Sequence, residues 1–116
     1  MKCQAVTPIA SVEDRYDLFH RDNDAAIDAC TNDGIVFLPW GPPANDFAAQ
    51  PSSALAHIAS EHAATPAQIA LAWLLARSPN VMSLPGTTDR DWFEQDLAAL
   101  DLELTDAQVE QLTAGR

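Results

Sequence analysis

Residues 65–76, Thr-Pro-Ala-Gln-Ile-Ala-Leu-Ala-Trp-Leu-Leu-Ala, restrict the fold more than any other stretch of the chain. Thr65 stands where an N-cap is needed, Pro66 takes the first helical position, and Gln68 closes a capping box, so a helix starts here. Beyond the cap, Ile69, Leu71, Ala72, Trp73, Leu75 and Ala76 make that helix apolar nearly all round. Such a helix persists only when other elements cover it on every side.

The covering elements are readable on either side. Thr7 to Val12 is short, partly β-branched and bounded by polar residues, which reads as a strand running into the loop Glu13–Asp17. A helix follows, with Asp22 or Asn23 available as cap, Ala26, Ile27 and Cys30 at helical spacing, and Gly34 as its stop. Ile35–Pro39 is a continuous apolar run without alternation, as in a strand of a parallel sheet covered on both faces. The Pro-, Ala- and Asn-rich stretch from Trp40 to Pro51 reads as a long functional loop. Ser52 can cap a helix holding Leu55, Ile58 and Ala59.

After the apolar helix, Ser78-Pro79-Asn80 is a break and Val81–Pro85 a third short buried strand. Gly86-Thr87-Thr88 then leads into a helix capped by Thr88 or Asp89, with Trp92, Phe93, Leu97 and Leu100 on one side. Thr105 and Gln108 form a second capping box for a last helix that runs to Leu112 and ends near Gly115. Strands alternating with helices define a parallel α/β architecture. Three strands at most leave two open sheet edges, which natural proteins normally close or cover.

Charge narrows the partners. Six Lys and Arg against 17 Asp and Glu give a net charge of −11, a field that repels nucleic-acid backbones and anionic lipid. No apolar run is long enough for a signal peptide or a membrane span, and Cys3 and Cys30 have neither a disulfide framework nor metal spacing around them, so the expectation is a soluble cytoplasmic chain with free thiols. His57 and His62 are five apart on a helix and His20 lies in a polar loop, so no metal site is expected.

These pieces, in this order, resemble the aldo/keto reductase family. The likeness is carried by Val12–Leu18 (VEDRYDL), Gly34–Pro42 (GIVFLPWGP), Thr65–Ala76, Leu84–Thr88 (LPGTT) and Leu102–Thr105 (LELT). It implies an α/β fold that is part of a (β/α)8 barrel, approximately strands six to eight with their helices, so that residues 1–116 form a C-terminal half. A full barrel takes about 250 residues, and the chain has 116. The family's activity is NADP-dependent reduction of small carbonyl substrates, in which a Tyr donates the proton, assisted by a Lys, an Asp and a His on the first four strands. Those residues are missing here, since the sole lysine is Lys2 and the sole tyrosine, Tyr16, lies outside that motif. No catalytic residue is therefore assigned, and the chain alone is expected to be inactive.

What the resemblance leaves is part of the cofactor site: Trp40 and Gly41 after the seventh strand, Gly86, Thr87, Thr88 and Arg90 at a helix start, and Asp96. Trp40 either stacks on the nicotinamide or plugs the barrel mouth. The Gly86–Thr88 turn either receives a phosphate, with Arg90 adding charge, or is simply a capped helix start in which Asp89 and Asp91 repel a phosphate. Departures fall on the ligand contacts. Glu13 replaces a Gln, Pro43 a Leu, Trp92 a His or Arg, and Gln95-Asp96 an "EN" pair, so Glu13 and Asp96 each exchange a donor for a negative charge. A second reading is a non-catalytic half-barrel that pairs with its own copy or with a complementary half; a third is a decayed gene fragment.

Overall fold

In the computed structural model, which describes residues 2–41 and 53–115, the described residues alternate strands and helices. Their order is β1 (Ser11–Arg15), α1 (Asp24–Asp33), β2 (Val36–Trp40), α2 (Ser53–Glu61), α3 (Pro66–Ala76), α4 (Arg90–Ala98) and α5 (Asp106–Ala114), with short 3-10 turns at Lys2–Ala5 and Ala99–Asp101. The strands β1 and β2 are parallel, in a register that pairs Ser11 with Val36 and Arg15 with Trp40. The expected cap at Ser52 and the Pro42–Pro51 loop with Pro43 lie outside the described residues.

Two strand expectations are corrected. The first strand starts at Ser11 rather than Thr7 and takes in Glu13, Asp14 and Arg15, which the sequence placed in a loop. Register decides this: the ladder exists only opposite β2, and it continues until the Tyr16 N–H donates to the Trp40 carbonyl at 3.0 Å. Charged residues are tolerated because, apart from half-buried Val12, the strand is exposed.

Of Val81–Pro85 only Val81 is bridged, in parallel, to Phe37. Phe37 donates to the Asn80 carbonyl at 2.9 Å and accepts from the Met82 N–H at 2.9 Å. In a parallel ladder a strand's N–H groups point to alternate sides, so the next donor on this side would be residue 39. That residue is Pro39, which has no N–H, and the pairing stops there.

The helices follow their caps closely. Thr65 Oγ1 accepts from the Gln68 N–H at 3.2 Å while Gln68 Oε1 accepts from the Thr65 N–H at 2.9 Å, and Thr105 and Gln108 repeat the box at 3.2 and 3.0 Å. Gly34 adopts φ 68°, the left-handed cap that ends α1. Asn23 holds the N-cap position of α1 without capping it by its side chain, because its Nδ2 donates instead to the Arg15 carbonyl. At α4 the cap is Asp89, which accepts from the Trp92 N–H, rather than Thr88.

The core centres on α3. Trp73 stacks on Tyr16 with ring centroids 6.0 Å apart, and Tyr16 meets Phe37 edge-on at 6.3 Å. Ile27, Cys30, Leu55, Ile58, Ile69 and Leu112 fill the space around them from α1, α2, α3 and α5. Arg21, itself buried, donates to the Thr113 carbonyl at 2.6 Å and lies over Trp73, whose indole N–H donates to Thr113 Oγ1 at 3.0 Å. These contacts fasten the end of α5 to the apolar helix.

Candidate functional site

The C-terminal ends of the strands, where α/β folds build their sites, surround a cavity of about 50 Å³. Tyr16, Asp17, Pro39, Gly41, Ser83, Gly86 and Asp96 line it together with apolar side chains of α3. Three of the residues selected from the sequence, Gly41, Gly86 and Asp96, therefore meet at one place. Gly41 is constrained by its neighbour, since a Cβ there would lie 3.2 Å from Asp17 Oδ2.

The other four do not line this cavity. Trp40 is 47% exposed at the end of β2, with the Arg15 guanidinium 5.9 Å from the ring centroid. Arg90 donates from Nε to Glu94 Oε1 at 3.0 Å on the exposed face of α4. Thr87 Oγ1 accepts from the Asp89 N–H at 3.1 Å, so it shapes the turn that starts the helix. Thr88 is exposed. Glu13 is exposed on β1 and does not reach the cavity.

Asp17 is the residue the sequence reading missed. Its buried carboxylate accepts from the Phe19 N–H at 2.8 Å and the His20 N–H at 3.1 Å, and it lies 2.9 Å from His20 Nδ1. The signal was the Asp-Leu-Phe-His spacing, in which an Asp side chain bonds the backbone two and three residues on. With Nδ1–H donated to Asp17, His20 Nε2 accepts from Arg15 Nη2 at 2.9 Å. His20 is thus held between two partners rather than solvated in a loop. His57 sits 3.3 Å from Glu61, and His62 lies 3.0 Å from Gln108. Among the described residues, no three His, Cys, Asp or Glu side chains come together as a metal site would require.

Asp96, on α4, is likewise buried, at 6% exposed. Burial pushes its carboxyl above the usual carboxylate range. The cavity therefore presents two acidic side chains and no basic one among its lining residues. That is the wrong polarity for a phosphate, and the volume is well below the roughly 300–1,000 Å³ of a small-molecule site. The described residues on their own do not fit a dinucleotide; they fit at most one edge of it, with the exposed Trp40 ring nearby.

The Tyr16 hydroxyl is engaged within the core. It donates to Asp24 Oδ1 at 2.5 Å and accepts from Arg77 Nε at 3.2 Å. Burial, and then the hydrogen bond to Asp24, push its pKa up to about 12. Burial works against the charge of Arg77, but its bonds to Asp28 and Tyr16 outweigh that and hold the guanidinium protonated. Asp24 is held below its usual range despite partial burial, by the Tyr16 hydroxyl and Arg77. The phenol is a structural strut between α1 and α3.

The fold and the cavity at the strand ends agree with the similarity to known proteins. The sequence pattern of the Aldo/keto reductase family matches residues 1–115, and the chain belongs to that family. It is 38% identical over 111 residues to pyridoxine 4-dehydrogenase of Escherichia coli, an alignment covering 96% of this chain and 38% of the relative. A thermostable aldo-keto reductase solved with the inhibitor epalrestat superposes with a TM-score of 0.82 at 26% identity, over 94% of this chain and 40% of that one. An aldo/keto reductase from Klebsiella pneumoniae, solved with NADP and acetate, shares the fold with a TM-score of 0.78 at 23% identity, over 89% of this chain and 38% of that one. The chain thus spans about two fifths of the length of these relatives. Among the described residues, no helix is long and apolar enough to cross a membrane.

Proposed function

We propose that this chain is the C-terminal portion of an aldo/keto reductase barrel, corresponding to strands six to eight with their helices, and that it contributes one edge of an NADP(H) site without the residues for proton transfer. The family implies NADP(H)-dependent reduction of a small carbonyl compound as the activity of a complete barrel. In this reading Trp40 and Gly41 flank the nicotinamide end, while the Gly86–Thr88 turn, Arg90 and Asp96 stand at the other end of the cofactor. The thiols of Cys3 and Cys30 are both free, which suits a cytoplasmic setting.

The observation that carries the reading is the state of the only phenol. A general acid has to reach the carbonyl oxygen, whereas the Tyr16 hydroxyl is occupied by Asp24 and Arg77 within the core. The test is to incubate the purified chain with NADPH and a simple aldehyde and follow NADPH absorbance. No turnover is expected, and steady NADPH oxidation coupled to alcohol formation would overturn the reading. Titration with NADPH monitored by tryptophan fluorescence locates the cofactor edge. Any saturable quench is expected to disappear in Trp40→Ala, and a quench unchanged in that variant would remove Trp40 from the site.

A further inference from the structure

The end of β1 carries a chain of contacts that runs away from the cavity. Arg15 and Trp40 stand opposite each other in the β1–β2 register, at the C-terminal end of both strands. The Arg15 guanidinium carbon lies 5.9 Å from the Trp40 ring centroid, within cation–π range. Its Nη2 is also 2.9 Å from His20 Nε2 and 3.3 Å from His20 Nδ1. His20 Nδ1 in turn lies 2.9 Å from Asp17 Oδ2 and 3.0 Å from Asp17 Oδ1. Asp17, His20, Arg15 and Trp40 thus follow one another from the wall of the cavity to a half-exposed aromatic ring.

The chemistry of the partners fixes the proton on His20. An ionised carboxylate only accepts and a guanidinium only donates, so Nδ1 carries the hydrogen and the Nε2 lone pair receives the Arg15 N–H. A second proton on the ring takes up that lone pair and sets one cation 2.9 Å from another. Exposure decides which group then moves. The Asp17 side chain is 4% exposed, accepts from the Phe19 and His20 N–H groups and packs against Gly41. His20 is bonded to Asp17 through the backbone in both directions at 3.1 Å.

Arg15 is exposed, and among the described residues its guanidinium forms no ion pair. Other charged groups nearby do not hold it. Asp14 accepts from the Arg15 backbone N–H at 2.7 Å, and Glu13, on the same face of β1 by strand alternation, is exposed. From the start of α1, Asn23 reaches the Arg15 carbonyl, while Asp24 is bound to Tyr16 and Arg77. Arg21 turns to Thr113 and Trp73, and Asp22 is exposed. The guanidinium therefore rests on His20 and Trp40.

We propose that Arg15 is a positioning residue for Trp40: neutral His20, oriented by Asp17, holds the guanidinium over the indole, and protonation of His20 releases it and frees the ring. The inference rests on the cofactor reading of Trp40 only for its consequence, a nicotinamide edge better formed at neutral than at acid pH. The tether itself belongs to this chain alone.

The test follows tryptophan fluorescence and its quenching by acrylamide in the 116-residue chain, from about pH 8 to about pH 5, the range in which an imidazole ordinarily titrates. Trp40→Phe serves as the blank that subtracts Trp73 and Trp92. The Trp40 signal is expected to change in a single step and to become more accessible to acrylamide on the acid side. Arg15→Met keeps the apolar stem without the charge, and is expected to abolish the step and to show acid-like accessibility already at pH 8. His20→Gln has no ring to titrate and is expected to abolish the step as well. Nitrogen-15 shifts of the His20 ring in the unsubstituted chain need no variant to fold, and are expected to place the hydrogen on Nδ1 at pH 8. A hydrogen on Nε2 at that pH, no step in the unsubstituted chain, or a step that survives in Arg15→Met would each overturn the proposal. The expected step without any saturable NADPH quench would remove the cofactor reading of Trp40 and uphold the positioning of its ring by Arg15.

Discussion

Helices α3 and α4 begin alike, each with a side-chain cap, and end in opposite circumstances. The buried residues of α3, Ile69 and Trp73 among them, are enclosed by α1, α2, α5 and the sheet, with Trp73 1% exposed. The apolar residues of α4 instead leave Phe93 and Leu97 about half exposed. Caps and periodicity make a helix; they do not determine what covers it. In this chain α3 is enclosed on its sides, whereas α4 leaves large apolar side chains open to solvent.

The sharpest way to break that contrast is truncation on each side. Trp73→Ala removes a stacked ring from the centre of the core and is expected to cost about 3–5 kcal/mol by denaturant unfolding. Phe93→Ala, on the open face, is expected to change the stability of the isolated chain by no more than about 0.5 kcal/mol. Similar losses for the two would show that α4 is already covered. A smaller effect is expected of Tyr16→Phe, which leaves the stacked ring but strips the bonds to Asp24 and Arg77, at about 1–2 kcal/mol. Thr65→Ala follows at about 1 kcal/mol, and Thr105→Ala at about 0.5 kcal/mol because its helix is the more exposed. Thermal melts rank these variants directly.

How much of this was legible in the sequence depends on whether the deciding contact is local. Both capping boxes and the Gly34 stop are set within a few residues of chain, and all three are where the sequence puts them. Strand limits depend on a partner: β1 took in Glu13–Arg15 because β2 lies opposite, and Val81–Pro85 lost its ladder because Pro39 lacks a donor. The site was legible in part for the same reason. Gly41, Gly86 and Asp96 line one cavity, whereas Asp17 enters through an Asx turn and Arg90 is captured by Glu94 one turn away.

The finest probe of the covered and uncovered regions is their opposite response to acid. Asp24, in the core network, titrates below its usual range. Its stabilising contribution is therefore complete above the unfolded pKa and is lost as pH falls through the folded one. Asp96 titrates above its usual range because of its burial. It binds its proton more readily in the folded chain, so its penalty is absent below the unfolded pKa and grows as pH rises through the folded value. Asp96→Asn is then expected to raise the stability of the isolated chain at pH 7, by less than either cap substitution lowers it, and to make no difference near pH 3, where the carboxyl is protonated in both states. Asp24→Asn is expected to destabilise at pH 7 and to flatten the loss of stability on acidification. Urea unfolding of both variants across this range is the measurement. If Asp96→Asn lowers stability at pH 7, the carboxylate already has a cationic partner in the isolated chain, and the face around α4 is closed rather than open.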